Sequence, residues 1–140
     1  MDLLLFSVGK QLYGFDCSIV VEVLPALPIN DSEEFKHMDG MIAYRGHTLP
    51  VVDGVEVMTG EPCKRYYSTR IVVVDVSTKG DGSSLCGCMV EDSVEIITVS
   101  YRKDKALFHE GRQVMIFSVD AFFKGKRREI TRIWKHKEKK

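Results

Sequence analysis

The chain has no apolar run of roughly 18 residues, so no membrane-spanning helix is expected. It opens "MDLLLFSVGK", with an acid where a secretory leader carries bases, and this start reads as a first strand. Only four cysteines occur, Cys17, Cys63, Cys86 and Cys88. Without a leader, they are expected as free thiols of a cytoplasmic protein. Cys86 and Cys88 would share one strand face, and a lone C-x-C is no zinc signature. Phosphate-loop chemistry is missing too: "KGDGSS" at 79–84 lacks the Gly-Lys-Ser/Thr ending and precedes a strand. His37, His47, His109 and His136 show no metal-ligand spacing. No histidine follows Cys17 at a nucleophile-motif distance, so a small thiol packed in the core is expected there. These absences leave no cofactor, no small-molecule substrate and no enzyme to argue for.

The net charge of zero hides an asymmetry. Residues 124–140, "KGKRREITRIWKHKEKK", carry nine Lys/Arg and two Glu, while residues 1–123 carry eleven Lys/Arg and eighteen Asp/Glu. A solvated helix or frayed basic tail is the plain reading of 124–140. Nucleic-acid binding through the tail is the alternative, but its aromatic content is one Trp.

What the chain does have is many short Val/Ile/Leu/Phe/Tyr segments cut by Gly and Asp. "LLLFSV", "QLYGFD", "MIAYR", "HTLPVV", "RIVVVDV", "SLCGCMV", "EIITV" and "QVMIFSV" read as strands. "GDGSS" at 80–84 reads as a hairpin turn. Helical signals are few. "CSIVVEVL" would make one or two turns capped by Asp16 or Ser18, "DSEEFKHM" starts like a helix at Asp31 or Ser32, and 118–140 holds the one long candidate. Many short strands with tight turns point to small barrels.

The halves repeat. "YGFDCSIVVEV" at 13–23 matches "CGCMVEDSVEI" at 86–96, pairing Gly14 with Gly87, Val21 with Val94 and Glu22 with Glu95. "RGHTLPVVDGVEVM" at 45–58 matches "EGRQVMIFSVDAFF" at 110–123, pairing Gly46 with Gly111, Arg45 with Glu110 and Asp53 with Ser118. Asp and Ser are both good N-caps, so each strand should run into a helical turn. Two paired spacings argue for a duplicated barrel.

The ordered set "YGFD…VVEVL…P", "GMIAYRG…LPVVD", "CGCMVEDSVEI" and "GRQVMIFSVD" resembles the CheW-like chemotaxis coupling family, over about residues 2–123. The resemblance implies a mainly β fold of two intertwined five-stranded SH3-like barrels in residues 1–123, with short helices and a basic helical tail at 124–140. It implies a non-enzymatic adaptor between a CheA-type histidine kinase regulatory domain and the cytoplasmic tip of methyl-accepting chemoreceptors. There are departures. Ala43 and Tyr44 stand where the family usually has Asn-Leu, "SEEFKHMDG" replaces a Pro-containing stretch, and Ser118 replaces an Asp.

Arg45 precedes a glycine at a turn, where a guanidinium is presentable to a carboxylate. Glu22 is its candidate partner, and the resemblance implies the same pair on the surface used for assembly. Val20 would share the side of Glu22 if the segment is extended. The resemblance puts it in a groove for a receptor helix; packed in the core is the plain alternative. Gly46, and more weakly Val90 and Glu91 in the second half, complete the expected partner-binding set. Glu91, Asp92 and Glu95 read as a solvated turn, and His47 and His109 as turn residues.

Overall fold

A computed structural model describes residues 1–8, 11–25, 40–61, 63, 69–77, 84–100 and 106–116. The helices expected at 31–38 and 118–140, the cap Ser118, the tail 124–140 and the turn at 80–83 lie outside these residues.

Among the described residues ten strands form: β1 (Asp2–Val8), β2 (Gln11–Asp16), β3 (Val20–Pro25), β4 (Gly40–Tyr44), β5 (His47–Asp53), β6 (Arg70–Asp75), β7 (Leu85–Val90), β8 (Asp92–Thr98), β9 (Leu107–His109) and β10 (Arg112–Ile116). A helix, α1 (Gly54–Thr59), follows β5. No helix among the described residues is long and apolar enough to cross a membrane.

The "CSIVVEVL" segment is helical only over Cys17–Ile19, a 3-10 turn capped by Asp16, whose carboxylate accepts from the Ser18 N–H at 3.0 Å. The rest is strand β3. Val20, Val21 and Val23 are β-branched and favour the extended form, so propensity ends the helix after one turn. The Asp53 cap forms as expected. One carboxylate oxygen accepts from the Glu56 N–H at 3.0 Å, and the other accepts from the Cys63 N–H at 2.8 Å.

The strands make two five-stranded sheets, ordered β8-β1-β2-β10-β9 and β3-β6-β7-β5-β4. Replacing each strand by its repeat mate, β1 with β6 through β5 with β10, turns the first order into the second. Each sheet therefore draws strands from both halves of the repeat. The register agrees to the residue. Glu22 sits opposite Val73 and Val73 opposite Gly87, while Glu95 sits opposite Leu5 and Leu5 opposite Gly14. The parallel pairs β5–β7 and β10–β2 match as well, Val51 with Gly87 and Ile116 with Gly14. Pro50 has no N–H to give; it lies opposite Met41, one residue before the β5–β7 pairing begins.

The main core lies between the sheets. Leu4, Phe6, Val8 and Phe15 of the first sheet pack with Leu49, Val51, Val52 and the run Ile71–Val74 of the second. Phe6 stacks on Phe15 and Tyr13, with ring centroids 4.5 and 5.6 Å apart. A smaller core of Leu3, Leu5, Leu12 and Val114 fills the other face of the first sheet. Strand β1 is buried on both faces, which is why "LLLF" shows no alternation.

Candidate functional site

Gly46 and Gly111 sit in two-residue hairpin loops. Arg45 and Gly46 have φ of 49° and 76°, and Glu110 and Gly111 have φ of 51° and 78°. Two successive positive φ values suit a hairpin whose flanking strands twist to the right. Tyr44 faces His47 across the first loop, and His109 faces Arg112 across the second. A Cβ at either glycine would meet nothing within 4 Å, so backbone conformation, not space, asks for glycine there.

The glutamates reach these loops from the opposite edge of each sheet. Pairing along β3 skips Val21, and pairing along β8 skips Val94. Each skip is a bulge directly before the repeat glutamate, and bulges re-aim the side chains beside them. The match of Val21 with Val94 in the repeat is thus a match of bulges.

At the first corner, Arg45 Nη2 donates to Glu22 Oε1 at 2.7 Å. Tyr44 donates its hydroxyl to the same oxygen at 2.8 Å. The guanidinium carbon stands 5.0 Å from the Tyr44 ring centroid, within cation–π reach. Arg45 is 66% and Glu22 36% exposed, whereas Tyr44 is buried at 6%. Burial first, then the hydrogen bond and charge of Glu22, push the Tyr44 phenol above its ordinary value, with Arg45 pulling the other way.

The second corner has the same backbone and different chemistry. Glu95 Oε1 meets His109 Nε2 at 2.8 Å, and Glu110 Oε1 lies 3.9 Å from the same nitrogen. Glu95 is a mid-strand residue and His109 a strand-end residue bound to it, so neither is the solvated turn residue expected. Among the described residues, Glu95, His109 and Glu110 bring ligand-type atoms within 4.8 Å of one another. Sequence spacing hid this group, because the fold joins positions fourteen residues apart. The signal was present in the repeat, which sets Tyr44-Arg45 against His109-Glu110.

The chain's residues 2–117 match the CheW-like domain model. The chain belongs to the CheW-like domain family. The scaffolding protein TtCheW from Thermoanaerobacter tengcongensis has a similar solved structure, with a TM-score of 0.74 at 21% identity over 90% of each chain. At that identity the likeness speaks for the CheW-like fold. Among curated proteins, none matches. Family membership makes chemotaxis signal transduction, by a coupling adaptor, the general setting of this protein.

Val20 is half-buried and packs against the main core, as Leu24 does; the bulge at Val21 pairs Val20 with Val74 and Glu22 with the adjacent Val73, so the expected shared side with Glu22 is not kept by the register. Val21 and Val23, which sequence reasoning passed over, point outward and are exposed. Alternation along β3 was the signal that would have found them. Val90 corrects an expectation: it is 0% exposed and belongs to the main core, so it has no side-chain surface to offer. Its strand lies between β6 and β5 and is buried along its whole length. Glu91 is half-buried at the bend between β7 and β8. Cys17 is half-buried, and burial followed by the charges of Asp2 and Asp16 raises its thiol, the reverse of what activates a nucleophile.

Proposed function

We propose that this CheW-like protein is a non-enzymatic cytoplasmic adaptor that couples the cytoplasmic tip of a methyl-accepting chemoreceptor to the regulatory domain of a CheA-type histidine kinase. Residues 1–123 form the coupling domain and 124–140 a separate basic segment. The observation that carries the reading is the first corner: an arginine largely in solvent, held at its tip by a glutamate from another strand. A guanidinium so held recognises a partner carboxylate at low entropic cost, because its fork is pre-oriented. Glu22, Arg45 and Gly46 form this surface, with Val20 beneath it and the exposed Val21 and Val23 beside it as apolar anchors for a helix. Glu91 is a weaker contributor from the second half. Each sheet curls into a small barrel, its outer strands bridged by Glu22 with Tyr44 and Arg45, or by Glu95 with His109.

The test is co-purification of the full chain with a CheA-type regulatory domain and with a chemoreceptor cytoplasmic fragment. Binding of both at tens of micromolar or tighter supports coupling. Binding of neither removes the reading.

A further inference from the structure

Tyr44 joins the core to the surface pair. Its ring is part of the main core, while its hydroxyl reaches the surface pair. Arg45 is held by three things: the left-handed backbone of the loop, one carboxylate oxygen, and the face of the Tyr44 ring. Two of the three run through Tyr44, because the hydroxyl also fixes the oxygen that Arg45 uses. Among the described residues, Glu22 Oε2 and the remaining guanidinium N–H groups have no protein partner. One shared oxygen thus sets the direction of both the guanidinium and the carboxylate.

We propose that Tyr44 is the positioning residue of the partner surface: by anchoring Glu22 and bracing the guanidinium, it fixes the direction in which Arg45 is offered. This rests on the coupling reading above. The role belongs to tyrosine. Phenylalanine keeps the ring and loses the oxygen anchor. Leucine loses both. Among the described residues, the charged groups acting on the phenol are Glu22 from β3 and Arg45 from the loop, and His47 is the cross-hairpin neighbour.

The experiment measures binding of the full chain to the receptor fragment and the kinase domain for Tyr44→Phe and Tyr44→Leu, each alone and with Arg45→Ala. Tyr44→Phe weakens binding about 3- to 10-fold and Tyr44→Leu more, because neighbours in one network couple. In the Arg45→Ala background, Tyr44→Phe changes binding less than about 2-fold, since there is no guanidinium left to aim. An equal loss in both backgrounds overturns the proposal, because it would mean that Tyr44 acts through the fold or touches the partner itself. A second arm reads the phenol by ultraviolet absorbance, as wild type minus Tyr44→Phe. The phenol titrates above its ordinary value, and Glu22→Gln moves it down. No movement overturns the proposal, since the hydroxyl would then not engage Glu22 in solution. A wild-type chain that binds neither partner removes the coupling reading and the partner's share of this proposal with it; the titration then decides whether Tyr44 holds Glu22.

Discussion

Arg45→Glu separates folding from coupling. The Glu22–Arg45 contact is 2.7 Å, and both groups meet solvent. Two unit charges at that distance in bulk water attract by about 1.5 kcal/mol. Screening and the ordering of two long side chains reduce this to ~0.2–1 kcal/mol. The backbone adds little, because Glu110 already holds a glutamate at φ 51° in the matching loop position. The reversal also sets a like charge beside Glu22, a repulsion of similar size, so Arg45→Glu should lower the melting temperature by no more than about 8 °C. Loss of a buried interfacial charge pair costs more, about 2–5 kcal/mol, so binding to the partner should fall at least about tenfold. The decisive variant is the swap Glu22→Arg with Arg45→Glu. It restores the internal attraction but exchanges the charges shown to a partner. Melting should return toward wild type, short of it by the lost acceptor of the Tyr44 hydroxyl, while binding stays lost, as read by calorimetric melting and titration calorimetry on the same samples. If the swap restores binding, the pair is only a latch between strands, and Arg45 is not presented to a partner.

Three further outcomes follow from the packing and the titrations. Gly87→Ala should destabilise by about 1–3 kcal/mol in chemical denaturation, because its Cβ would lie 2.8 Å from Ile71 Cγ2 and 3.3 Å from Val51 Cγ2 in a filled core; Gly14→Ala, at 3.2 Å from Leu3 Cδ1, should cost less, and equal costs would refute this comparison. Asp53→Ala removes the cap of α1 and leaves the Cys63 N–H without its carboxylate, a loss of about 2–4 kcal/mol; Asp53→Asn should recover part of it in the same melt. Stability should decline as pH rises past the ordinary thiol and phenol values of 9.0 and 10.0, because the fold holds the Cys17 and Tyr44 protons more tightly than the unfolded chain does; Tyr44→Phe should flatten the upper part of that decline.

The sequence made the duplication legible, because glycines in positive-φ loops and the Val-Glu step recur at matching distances. It offered Glu22 as the candidate partner of Arg45, and the family resemblance implied the same pair. The exchange of strands between halves was not legible. A repeat states which segments are equivalent, and either copy of β5 or β10 satisfies the pattern of β2 equally well. Val90 misled for a related reason. Equivalence to the neighbourhood of an exposed site says nothing of burial when the strand lies between two neighbours. Tyr44 stood out in the sequence only as a departure from the family's Asn-Leu, inside a segment that reads as a strand. Only three-dimensional placement gave its hydroxyl a partner 22 positions away.

The nesting of the two sheets bears on the order in which the protein is made. All five strands of the second sheet lie within residues 20–90, in one unbroken stretch. The first sheet takes β1 and β2 from one end of the chain and β8 to β10 from the other. During synthesis the inner sheet has all its strands once residue 90 has emerged, while β1 and β2 wait for residues 92–116. Until then, Leu3, Leu5 and Leu12 lack the strands that later cover them. Until residues 92–116 have left the ribosome that apolar face stays open, so the closing of the first sheet is a stage at which a nascent chain of this protein is exposed to aggregation.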